Sequence, residues 1–257
     1  MNPERFEEVR KAVILEERKR DGIGVLKEKT LHSVLKRYYE PAQENHEIKI
    51  GDFVADIVGE HGIIEIQTRN MERLVKKLEQ FLKVCPVMVV YPVLSEKYLI
   101  WLDEETGETT KKRKSPKRGT IAEGIAQLYP LRQFLSNPNF TFCVVLLSGN
   151  EIRYLNGWSR DRKRGSSRCD FVPTGLLGEY RFSAAEDYLC VLPESMPETF
   201  TAKELGKAVA LSGRKLYSLI HVLESLSLLE KLPKVGRAYP YRFTAREQNI
   251  EKEIGDL

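Results

Sequence analysis

Asp56 and Glu65 are the residues of this chain best placed to do chemistry together. They lie in two apolar segments, FVADIV and IIEIQ, joined by Gly59-Glu60-His61-Gly62, a spacing that predicts a β-hairpin. With a four-residue loop, Val58 faces Ile63, Ile57 faces Ile64, and Asp56 lies directly opposite Glu65. Opposed residues on paired strands have Cβ atoms roughly 4.5–5.5 Å apart, where like charges repel. A divalent cation removes that conflict, because carboxylate oxygens are the ligands hard cations prefer. Side-chain alternation puts Gln67 on the same side as Glu65 and turns Ile64 and Ile66 toward a core. Asp56, Glu65 and Gln67 are then expected on one surface. The competing reading is a solvated hairpin whose polar residues only face water.

The surrounding elements have to hold these side chains in place. Asn2 can cap a first helix, Pro3 suits its first turn, and Phe6, Val9 and Val13 recur at helical spacing until Asp21-Gly22. A second helix is expected from about Glu28 to Tyr39, with Leu31, Val34, Leu35 and Tyr38 as its apolar stripe and Pro41 as its stop. Strands HEIKI, FVADIV and IIEIQ follow, then a helix with Met71, Leu74, Leu78, Phe81 and Leu82 on one side, then the strand PVMVVYP. This order predicts a mixed α/β unit in which the last crossover can add a parallel strand. Residues 97–198 hold the strands KYLIWLD, FTFCVVLLS and EIRYL, a helix near Thr120 to Leu135, and two basic loops, read as an elaboration of that unit.

Pro193 and Pro197 flank an acidic linker. Beyond it TAKELGKAVA suits a short helix, LSGR a turn, KLYSLIHVLESLSLL a longer helix, and KLPKVGRAYPYRF a hairpin around Lys234-Val235-Gly236. That is the order of a winged helix-turn-helix. The expected divisions are an N-terminal helix (1–25), an α/β domain (26–198), a winged-helix domain (199–245) and a charged tail (246–257).

The helix, the meander, Asp56, Glu65-Ile66-Gln67 and the amphipathic helix that follows resemble the PD-(D/E)XK nuclease superfamily over roughly residues 26–93. The resemblance implies the restriction-endonuclease-like fold, a mixed sheet flanked by helices. It implies that Asp56 and Glu65 bind Mg²⁺ (or Mn²⁺) for hydrolysis of a phosphodiester. The third position, usually Lys, is Gln67 here; glutamine carries no charge and cannot act as a base. Certain restriction enzymes and competence-type nucleases of the superfamily work with E-x-Q, and Gln67 would then position the attacking water. The competence-type group adds an E-x3-H-x3-K helix, matched by Glu28, His32 and Lys36, and a strand acid, matched by Glu47. The implied catalytic set is Asp56, Glu65, Gln67, Glu47, Glu28 and His32, with Glu47 or Glu28 supporting a second or hydrated metal and His32 a proton carrier or phosphate contact. The bland readings are a solvated helix edge for Glu28 and Lys36, a packed or surface histidine for His32, and an exposed strand residue for Glu47.

With 41 basic against 37 acidic residues among 257, total charge does not by itself argue for nucleic acid. Its distribution argues more. One run, Lys111 to Gly119, offers Lys114, Lys117 and Arg118; another, Trp158 to Arg168, offers Arg160, Arg162, Lys163, Arg164 and Arg168. Both contain Gly or Ser and can follow a phosphate backbone, the alternative being a solubilising or targeting-like charge run. In the winged-helix segment Arg214, Lys215, Tyr217 and Ser218 are groove-side candidates, with Lys234, Arg237 and Tyr239 on the wing. The expected partner is nucleic acid, duplex DNA in the first instance; cutting both strands favours a homodimer, for which the N-terminal helix can supply the contact. No apolar run approaches the roughly 20 residues of a membrane-spanning helix, and the charged N-terminus lacks a secretory core, so the expectation is a cytoplasmic protein without a membrane partner. Cys85, Cys143, Cys169 and Cys190 lack CxxC spacing and are expected as reduced thiols, the first two inside apolar strands. A nucleic-acid-binding or regulatory protein that keeps the fold without catalysis, with Gln67 as the symptom, is the rival function. A third is an interaction protein whose winged helix binds another protein.

Overall fold

Asn2 does begin the first helix: in the computed structural model its Oδ1 accepts the Arg5 N–H at 3.0 Å. The structure describes residues 1–21, 30–103, 105–155, 167–193, 195–236 and 238–244, with backbone alone for 17–21 and 167–168. The chain is mixed α/β, a mixed multi-stranded sheet flanked by helices, and it divides into two units.

The first unit comprises residues 1–68, 90–120 and 144–180. Helix α1 (Pro3–Asp21) buries Phe6 and Val13; helix α2 (Thr30–Tyr39) buries the expected stripe of Leu31, Val34, Leu35 and Tyr38. The Phe6 and Tyr38 rings meet edge to face at 5.5 Å, and the Tyr38 hydroxyl accepts the Asn2 N–H at 3.0 Å. Strands β1 (His46–Ile50), β2 (Phe53–Gly59) and β3 (Gly62–Ile66) form an antiparallel meander. Ile57 pairs with Ile64 and Val58 with Ile63, the predicted register. Gly59 also pairs with Gly62, so the loop is Glu60-His61 rather than four residues; Gly62 has φ of 116°, open to glycine and strained for other residues.

Strands β4 (Val87–Leu102), β5 (Arg113–Lys114), β6 (Phe140–Tyr154) and β7 (Ser167–Phe182) complete the sheet, in the order β1-β2-β3-β4-β6-β7 with β5 beside β4. PVMVVYP and KYLIWLD, expected as separate strands, are the single strand β4; FTFCVVLLS and EIRYL are likewise one strand, β6. Pro92 and Gly149 are tolerated inside them. Gly149 is required where it stands, because a Cβ there would fall on the Phe171 ring of β7 and within 2.8 Å of the Val172 carbonyl oxygen. β7 has no counterpart in the sequence reading, since Pro173, Gly175 and Gly178 punctuate it.

The second unit comprises residues 69–89, 121–143 and 181–257. A 3-10 turn, Met71–Leu74, leads into α3 (Val75–Phe81), and the five apolar residues expected on its inner side are all buried. α4 (Ile121–Ile125) continues as a 3-10 stretch, Ala126–Phe134, in which Pro130 lacks the N–H that an α-helix needs. Further on come β8 (Thr199–Thr201), α5 (Ala202–Ala208), α6 (Gly213–Ser225), β9 (Leu229–Lys231) and β10 (Pro240–Phe243), the three strands forming a small sheet in the order β8-β10-β9. Thr201 and Glu204 close a capping box on α5: the Thr201 Oγ1 accepts the Glu204 N–H at 3.3 Å, and the Glu204 carboxylate accepts the Thr201 N–H at 2.7 Å. α6 buries Leu216, Leu219, Ile220, Val222 and Leu223 and packs on α4 and on Ala126–Phe134.

All four cysteines are free thiols. Cys143 is buried in β6; Cys85 is half-buried in the turn after α3, not in a strand. Among the described residues no helix is long and apolar enough to cross a membrane.

Candidate active site

The apolar stripe of α2 faces inward, which leaves His32 and Lys36, one helical turn apart, on the edge that meets the meander. His32 Nε2 lies 3.2 Å from Asp56 Oδ2, and Lys36 donates to Glu47 Oε1 at 2.8 Å. Both acceptors come from neighbouring strands. Glu47 and Asp56 stand between the pairs His46–Ile57 and Ile48–Ala55 of the β1–β2 ladder. Glu47 adopts φ of 54°, a left-handed conformation that non-glycine residues enter at a cost, and its side chain is 70% exposed.

Asp56 and Glu65 are brought together as the hairpin register requires. The Asp56 N–H points to Glu65 Oε1 at 3.4 Å, and Asp56 Oδ2 accepts the Ile66 N–H at 2.8 Å. One expectation is corrected here. Glu65, expected on an open surface with Asp56 and Gln67, is 2% exposed, because α2 packs against β3. Gln67 follows β3, half-buried, its backbone N–H donating to Val90 O at 2.9 Å. Glu28 lies outside the described residues.

The donor set fits a hard divalent cation in kind: two carboxylates on adjacent strands, one of them withdrawn from solvent. Among the described residues no group of three or more His, Cys, Asp or Glu side chains is placed to hold a metal ion. Mg²⁺ is commonly held by one or two carboxylates together with water and substrate phosphate, so two suffice.

Beside this cluster a polar pocket of about 350 Å³ is lined by Ser33, Lys36, Arg37, Gln43, His46 and Glu47. Sequence reasoning missed four of these. They join a helix edge to the start of β1, and no local spacing signals that. It also missed a buried cluster on the long strands, where Glu151, fully buried, takes Lys97 at 2.7 Å and Arg153 Nε at 2.6 Å.

The first basic run is an edge rather than a free loop. Lys114 pairs with Tyr98 and Arg113 with Leu99, Lys112 sits over the Tyr98 ring at 4.2 Å, and Lys114 and Arg118 each approach Glu96 at 3.8 Å. Lys117 is exposed. Arg160, Arg162, Lys163, Arg164 and Arg237 lie outside the described residues, and Arg168 is described only as backbone in β7. On α6, Arg214 and Tyr217 are exposed, whereas Lys215 is ion-paired with Glu123 of α4. Lys234 stands 5.9 Å from the Tyr239 ring, and Lys231, which sequence reasoning passed over, covers that ring at 3.9 Å.

A family described as a domain of unknown function (DUF8091) matches residues 29–183. The match takes in His32, Lys36, Glu47, Asp56, Glu65 and Gln67 and stops before β8. A protein of Treponema pallidum (strain Nichols), described as uncharacterized, is 31% identical over 186 residues, 72% of this chain and 74% of its own length. No solved structure matches the chain significantly.

Proposed function

The chain belongs to the DUF8091 family, whose description assigns no activity, and from the acidic cluster under α2 we propose that it is a metal-dependent nuclease cleaving phosphodiester bonds of DNA. The observation that carries this reading is the approach of His32 Nε2 to the Asp56 carboxylate at 3.2 Å, beside the buried Glu65 whose Oε1 faces the Asp56 backbone N–H. Asp56 and Glu65 are the residues that would hold Mg²⁺ or Mn²⁺. A bound cation of this kind supplies charge neutralisation at a phosphate oxygen and acidifies a bound water. Gln67 orients water through its amide but cannot take its proton. His32, beside Asp56, is the candidate proton carrier or phosphate contact, and Lys36, held by Glu47, keeps a cation beside the cluster.

In the same reading the first unit has the PD-(D/E)XK arrangement, and β8, α5, α6, β9 and β10 are a winged helix-turn-helix. α6 is its recognition helix, offering Arg214 and Tyr217, and Lys231, Lys234 and Tyr239 form the wing. Duplex DNA would be gripped there through phosphate contacts that position without specifying sequence, and Lys114, Lys117 and Arg118 are separate candidate phosphate contacts of the first unit.

The test is incubation of the full chain with plasmid and with single-stranded DNA across a Mg²⁺ and a Mn²⁺ titration. Cleavage is expected, lowered at least roughly a hundredfold in Asp56→Ala and in Glu65→Ala, which remove metal ligands. Gln67, standing where lysine is usual, favours a second reading: a DNA-binding or regulatory protein without catalysis. DNA binding without cleavage in either metal would replace the first reading by the second.

A further inference from the structure

Tyr217 and Tyr129 are large rings left in solvent on the second unit, 53% and 38% exposed. Scattered singly, such side chains are ordinary; gathered, they mark a contact surface. Arg214, Tyr217 and His221 are three and four residues apart, so they share the outward side of α6, away from its buried leucines. That stripe runs about 10 Å along the helix axis. Beside its far end the Ala126–Phe134 stretch adds Tyr129, whose ring lies 5.6 Å from that of His221. Arg132 lies over the Tyr129 ring at 4.5 Å and closes the row.

Charge and shape select the ligand. Lys215 is held by Glu123, and the His221 Nδ1–H by Glu224 Oε2 at 2.8 Å. Arg132 donates one N–H to the Tyr129 carbonyl at 2.9 Å. Among the described residues no carboxylate pairs with Arg132 or with Arg214, so each end of the row offers a guanidinium to an anion. Rings in a row between two such cations match an unpaired nucleic-acid strand, whose bases stack on the rings while its phosphates meet the guanidiniums. In a duplex the base faces are covered by their neighbours and are reached only by unstacking.

We propose that Arg214, Tyr217, His221, Tyr129 and Arg132 form a stacking track for a few unpaired nucleotides, and that the DNA this chain holds carries a single-stranded tract beside its duplex. The inference rests on the reading of the second unit as a DNA-holding module; it is independent of the acidic cluster and of cleavage.

The test is fluorescence anisotropy with the full chain at low salt in EDTA, which prevents cleavage. The probes are labelled oligo(dT), a blunt duplex, and the same duplex with an oligo(dT) tail. The tailed duplex is expected to bind about fivefold or more tighter than the blunt one. Tyr129→Ala should weaken oligo(dT) binding about fivefold or more and bring the tailed duplex toward the blunt one, whereas Tyr129→Phe, which keeps the ring, should bind as the wild type. Arg214→Glu, a charge reversal at an exposed position, should also weaken oligo(dT) binding and keeps the test decisive should the alanine variant fail to fold. Equal affinity for tailed and blunt duplex, or wild-type oligo(dT) affinity in folded Tyr129→Ala or Arg214→Glu, would overturn the track and leave the duplex reading standing. Failure to bind any of the three probes would overturn both.

Discussion

Asp56 does two jobs with one oxygen, since Oδ2 accepts the Ile66 N–H and lies against His32 Nε2. Exchange of the carboxylate for an amide separates them. The amide keeps a carbonyl oxygen for the Ile66 N–H but loses the charge a cation needs, so Asp56→Asn should leave stability within about 1 kcal/mol of wild type while ending metal-dependent cleavage. Thermal melts and the plasmid assay on the same preparation check this, and a variant that melts as wild type yet still cuts would remove Asp56 from the metal site. Gly149 is a purely structural counterpart. Gly149→Ala drives a methyl group into Phe171 and toward the Val172 carbonyl, an overpacking expected to cost roughly 1–3 kcal/mol in denaturant unfolding.

Secondary elements succeed or fail by what terminates them. Thr201→Ala removes the side-chain half of the α5 cap and should cost about 1 kcal/mol. Its partner Glu204 has a carboxyl held below the usual value, first by the Thr201 backbone N–H. A lowered folded-state pKa gives stability that is present above the unfolded pKa and is lost as pH falls through the folded one. The gap in melting temperature between wild type and Glu204→Gln should therefore be open at pH 7 and close on acidification toward pH 3. A gap independent of pH would sink the assignment. The same attention to ends explains how much of the fold was legible. The α2 stripe, the meander and its register, and the inner side of α3 followed from periodicity and glycine turns, and with them the meeting of Asp56 and Glu65. β4 and β6 each read as two strands because Pro92 and Gly149 resemble breakers, and β7 is hidden by its own proline and glycines; long-range pairing overrides such local signals. The burial of Glu65 was not legible either, because it depends on α2 lying over β3, a contact between distant residues.

For the molecule as a whole, net charge is only +4, so any grip on DNA has to come from local concentration of charge, such as Lys231 and Lys234 around Tyr239. Replacing both lysines by glutamate should lower affinity for unrelated duplexes alike and reduce the slope of log K against log salt by about 2, read by fluorescence anisotropy across a salt titration. An unchanged slope would take the hairpin out of the DNA interface. The division into units carries a different lesson. The chain changes unit at 68–69, 89–90, 120–121, 143–144 and 180–181, so neither is written as one continuous stretch of gene. Recombination that moved residues 199–244 as a cassette would carry α6 away from the Ala126–Phe134 stretch that shields its leucines.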